Sequence, residues 1–76
     1  MTITGEQAKA ARVLLGWSTM TFAKKSPVGE MAIRNFETGK HRPTPFKVLA
    51  IQRTLEAAGI EFDDKGHGVR MREGKR

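Results

Sequence analysis

No cysteine occurs among the 76 residues, so neither a disulfide framework nor a thiolate zinc site can supplement the core. A chain of this length forms one domain, 1–76, near the size at which a single core is only just sufficient. Helix packing or dimerisation has to supply the stability. Long apolar runs are absent too. The longest near the N-terminus, Val13-Leu14-Leu15, is interrupted by Gly16 and followed by polar residues. That predicts neither a secretory leader nor a membrane span, and a reducing, cytoplasmic setting fits. Catalytic constellations are missing as well. No histidine is spaced with a nucleophile and an orienting acid, and no Gly-rich phosphate loop occurs, so the expectation is a non-enzyme without catalytic residues or cofactors. His67 lies between two glycines with no second histidine or cysteine at ligand spacing, which predicts a turn residue and no metal site.

What the chain does have is positive charge. Its formal net charge of +6 favours a polyanionic partner, although a solvated basic surface gives the same number. The excess is uneven: residues 1–44 hold seven Lys and Arg against three acids, and residues 45–76 hold seven against five.

Helix signals punctuate the first three quarters of the sequence. Thr4 followed three residues later by Gln7 makes a capping box, with Ile3 and Ala8 placed as a hydrophobic staple. A first helix then runs to about Leu15, with Ala8, Ala11 and Leu15 on one face at helical spacing, and Gly16 can take the left-handed conformation that ends it. Trp17 is expected to pack into the core across this joint. Ser18 caps a second helix of about Thr19 to Lys25 that buries Phe22, Ala23 and Ser26 and is stopped by Pro27. A third helix of about Glu30 to Glu37 has Ile33 and Phe36 as its inward pair, and Thr38-Gly39 closes it. Lys40-His41-Arg42-Pro43 is a basic connector. Thr44-Pro45 starts a fourth helix whose Val48, Ile51, Leu55 and Ala58 recur with helical period up to Gly59. Ile60–Asp63 and Val69–Arg72 alternate apolar and polar residues around a turn-rich Lys65-Gly66-His67-Gly68, as a small hairpin would. The ending, 73–76, reads as frayed.

Two short helices joined by a tight turn, the second closed by Gly after an apolar pair, form the pattern of a helix-turn-helix, here about 19–37. The residues Thr4-Gly5-Glu6-Gln7, Ala11-Arg12, Leu14-Leu15-Gly16-Trp17-Ser18, Ala23, Val28, Ile33, Phe36-Glu37-Thr38-Gly39 and Pro43 resemble the Xre family of bacterial and phage regulators, relatives of the lambda-type repressors. The resemblance spans about 4–62. Glu-Ala-Ala-Gly-Ile-Glu-Phe at 56–62 resembles a subgroup with a short C-terminal extension, about 60–76.

This resemblance implies an all-α, compact four- to five-helix repressor-like bundle, with the small β-hairpin appended. It also implies double-stranded DNA as ligand, a homodimer on a palindromic site, and nucleoid association through DNA. By position it assigns Glu30, Met31, Arg34 and Asn35 to base edges. Ser18, Thr19, Lys40, His41 and Arg42 go to phosphate, and Arg12 and Glu37 to an ion pair. The chemistry agrees: Asn pairs bidentately with adenine and Arg with guanine, whereas hydroxyls and cations suit phosphate oxygens. Glu30 has two readings, an acceptor for a cytosine amino group or, the preferred one, an acid favoured by the dipole of a first helical turn. Met31 suits a thymine methyl or a dimer surface, and Lys24 and Lys25 read as solvated.

Three positions depart from the family. Thr19 stands where Gln is usual, Pro27 where the turn has Gly, and Gly29 where Ser or Thr opens the third helix. Proline, with φ fixed near about −65°, cannot reproduce a left-handed glycine, so a remodelled turn is expected. The leading reading is a transcriptional repressor without a sensory domain, governed by its concentration, a regulatory protein partner or proteolysis. The alternative is a protein-interaction module on the same fold, such as an antitoxin or anti-activator.

Overall fold

Four helices and one hairpin follow in the order α1 (Gly5–Leu14), α2 (Thr19–Lys25), α3 (Glu30–Thr38), α4 (Pro45–Ala57), β1 (Ile60–Phe62) and β2 (Val69–Met71). The computed structural model describes residues 2–63 and 68–72. The expected turn at 65–67, with His67, and the ending 73–76 lie outside them. No helix among the described residues is long and apolar enough to cross a membrane.

Local chemistry fixes the helix ends. The Thr4 hydroxyl accepts from the Gln7 amide at 3.0 Å, and the Gln7 side-chain oxygen accepts from the Thr4 amide at 2.9 Å, so two orphan donors of the first turn are satisfied reciprocally. Ile3 and Ala8 are both fully buried, as a staple requires. Ser18 and Thr44 cap α2 and α4 through their hydroxyls, whereas Gly29 opens α3 with no side-chain cap. Gly16 and Gly39 take positive φ just beyond α1 and α3, where a side chain would be strained.

No residue between α2 and α3 has positive φ. Ser26 is extended instead, at φ −114° and ψ 161°. Its Oγ lies 3.2 Å from both the amide and the carbonyl oxygen of Val28, accepting from one and donating to the other. The turn is thus braced by a side chain with no left-handed residue, and the following Val28 is delivered into the core.

That core draws on all four helices and β1, with Val69 of β2 packed against it. Ile3, Ala8 and Ala11 meet Phe22, Val28, Ile33 and Phe36, and then Val48, Ile51, Leu55 and Ile60. Trp17 is only half-buried. It packs against this cluster with its ring centroid 5.7 Å from that of Phe22. Lys25, although exposed, holds its ammonium 5.3 Å from the Trp17 ring centroid, a cation–π contact in place of simple solvation. At Gly5, α1 lies directly on the backbone of α3: a Cβ there would overlap the Phe36 carbonyl oxygen and lie 2.9 Å from its carbon.

The hairpin is antiparallel, with Ile60 opposite Met71, Glu61 opposite Arg70 and Phe62 opposite Val69. Gln7, almost fully buried, ties it to α1 by donating from its amide nitrogen to the Asp63 carbonyl at 3.3 Å.

Candidate nucleic-acid interface

α3 is amphipathic by spacing. Ile33 and Phe36 are buried, and at 3.6 residues per turn Glu30, Arg34, Thr38, Met31 and Asn35 fall within about 140° of arc on the other side. Met31 is 71% exposed and the Arg34 side chain 63%. The base-edge candidates therefore share one outward face, anchored from behind by the apolar pair.

The anchor is reinforced by charge. The Arg12 Nε donates to Glu37 Oε2 at 2.8 Å and its Nη2 to Oε1 at 3.0 Å, while Nη1 donates to the Trp17 carbonyl at 2.9 Å. Only 13% of the Arg12 side chain and 5% of the Glu37 side chain are exposed. One guanidinium thus joins α1, the α1–α2 joint and the C-terminal end of α3, using the planar fork that lysine lacks.

A second Arg–Glu pair lies at the opposite end of the same helix, in different surroundings. Glu30 Oε2 accepts from the Thr19 hydroxyl at 2.7 Å, from Arg34 Nη2 at 3.0 Å and from Arg34 Nε at 3.2 Å. Its side chain is 29% exposed. The Thr19 hydroxyl, and then the Arg34 hydrogen bonds, hold the Glu30 carboxyl below the usual carboxylate range, because both stabilise the charged form. Thr19 and Glu30 thereby bridge the N-terminal ends of α2 and α3. The Thr19 proton is engaged inside the protein, which modifies its expected place on phosphate.

The remaining phosphate candidates are Ser18, next to the Thr19 that meets the first turn of α3, and the three residues that follow Gly39 at its other end. Ser18 is exposed before α2, and its Oγ donates to Thr21 Oγ1 at 3.0 Å while accepting from the Thr21 amide. Lys40, His41 and Arg42 are exposed after α3. The His41 amide donates to the Asn35 carbonyl at 3.3 Å, which draws the basic connector back along the helix. Arg42 rests its guanidinium 5.3 Å from the Phe36 ring centroid, an apolar seat for a cation that remains open to solvent.

Three contacts around α3 go beyond the sequence reading. Glu30 and Arg34 stand at the i, i+4 spacing that pairs opposite charges on a helix, so that contact was available as a signal. The Thr19–Glu30 bond and the Gly5 approach to α3 depend on how the helices meet, and no local spacing announces them. No protein-family model matches the chain, and no curated protein matches it.

Proposed function

We propose that this chain is a sequence-specific double-stranded DNA-binding regulator of repressor-like fold, acting as a homodimer that occludes a promoter. The observation that carries this reading is the outward face of α3, where Met31, Arg34 and Asn35 stand between the Thr19–Glu30 contact at its first turn, next to Ser18, and the basic Lys40–Arg42 that follow its last turn. The helix has nine residues, about 13 Å at 1.5 Å per residue, close to the ~12 Å width of the major groove. Backbone contacts at its two ends and base contacts between them match that span.

A single short helix reads few base pairs, which favours two copies on a two-fold site. Phe46 and Leu49 on α4 and Met71 on β2 are exposed apolar side chains, and such uncovered apolar surface suits the contact between the two copies.

The test is a mobility-shift series over salt concentration with the duplex upstream of the protein's own gene. Affinity falls steeply with salt as counterions are released, and sedimentation of the complex gives two protomers per site. A protein that retards no duplex at any salt overturns the reading and favours the interaction module, whose contact surface would be the same α3 face.

A further inference from the structure

Resting on that reading, we infer that Glu30 is a positioning residue that converts Arg34 from a general phosphate-binding cation into an oriented base reader. A guanidinium carries five N–H donors in a rigid fork. Glu30 Oε2 takes the side edge, Nε and Nη2. The Nη1 hydrogens and the second Nη2 hydrogen remain, and these form the end-on edge that suits the O6 and N7 acceptors of guanine. Thr19, donating to the same Oε2 at 2.7 Å, keeps the carboxylate from following Arg34 outward, and the clamp is held from α2 as well as from α3.

The electrostatic consequence is selective. Beside a carboxylate, Arg34 adds no net charge to the face that approaches DNA, so it gains little from a phosphate reached at random. Glu30 Oε1 makes no hydrogen bond to the described residues and, as an acceptor, repels phosphate oxygens. At a matching base pair the hydrogen-bond donors of Arg34 are still available and already aimed. Glu30 therefore weakens non-specific binding more than specific binding, which raises discrimination without itself needing to touch a base.

The experiment compares the wild type, Glu30→Gln, Arg34→Ala and the double variant on the preferred duplex and on a random duplex over a salt series. Circular dichroism confirms that each is folded. Glu30→Gln is expected to tighten random-duplex binding by one counterion's worth, about eightfold at ~0.1 M salt, with a salt slope steeper by about one unit. Binding to the preferred duplex improves less, so the specificity ratio falls. Held by Glu30, Arg34 makes no phosphate contact at a random site, so Arg34→Ala alone leaves the random-duplex salt slope nearly unchanged while the bared carboxylate lowers affinity. In the Glu30→Gln background, where Arg34 is free to contact a phosphate, the same change flattens the slope by about one unit. A merely structural Glu30 moves neither slope. If the wild type binds duplexes and Glu30→Gln leaves random-duplex affinity unchanged or lower, or if Arg34→Ala acts alike in both backgrounds, this inference is overturned while the proposed function stands. If the wild type binds no duplex, both fall.

Discussion

The two Arg–Glu pairs of α3 have the same chemistry and opposite consequences. Arg12 and Glu37 meet where the helix turns toward α1 and are largely buried, whereas Glu30 and Arg34 meet where it faces solvent. Burial makes the first pair a structural commitment. Its charges have lost water, so each depends on the other and on the Trp17 carbonyl. Solvent leaves the outer edge of the second pair open to a partner, as the proposed reading of DNA would require. One end of α3 is bolted to the scaffold so that the face at the other can be presented at a fixed angle.

Removing Glu37 breaks the comparison most severely. Glu37→Ala strands the Arg12 guanidinium and should cost about 3–5 kcal/mol in urea denaturation, enough to endanger a domain of this size. The Arg12→Ala, Glu37→Ala double variant should lose less than the sum of the singles, because no buried charge is left unpaired. A loss below about 1 kcal/mol for the single variant would place this pair with ordinary surface ion pairs.

Next in size is the backbone contact beside that pair. Gly5→Ala pushes a methyl group into the Phe36 carbonyl and should destabilise by about 1–3 kcal/mol. Helix propensity alone favours Ala over Gly by about 1 kcal/mol, so the sign of the change decides whether α1 and α3 meet as closely as described.

The smallest effect sharpens the exposed end. Glu30 titrates below its ordinary value of 4.5. Its contribution to stability is therefore present above that value and lost as the pH falls through the depressed one. Carboxyl chemical shifts followed by NMR should show the Glu30 midpoint rising in both Thr19→Val and Arg34→Ala, more in the former. An unmoved midpoint in Thr19→Val contradicts the interhelical bond.

The history of each feature in the sequence follows the same division. Elements set by neighbouring residues were readable: the Thr4–Gln7 box, the Ser18 and Thr44 caps and the Gly39 stop fall at the expected residues, and each strand ends one residue earlier than its alternation suggests. The Arg12–Glu37 pairing came from family resemblance, since a separation of 25 residues has no local signature. Pro27 signalled that the turn departs from the family, but the use of Ser26 Oγ to brace it needed the path of the chain. Gln7 was legible as a cap and illegible as the partner of Asp63, 56 residues away. At the candidate site, the outward face of α3 followed from helical spacing. The engagement of Thr19 with Glu30 did not, because it depends on the angle between two helices.

The central claim is that α3 reads bases with one set of residues and tracks the backbone with another. It is tested most directly by measuring binding to a panel of single-base operator variants, across salt, for the wild type, Arg34→Ala, Asn35→Ala, Lys40→Ala and Arg42→Ala. The account predicts that Arg34→Ala and Asn35→Ala each cost about 1–3 kcal/mol on the preferred site and relax discrimination at one base pair. Lys40→Ala and Arg42→Ala should weaken every duplex alike and flatten the salt slope by about one unit per lost phosphate contact. Base preferences left intact by both Arg34→Ala and Asn35→Ala would contradict it.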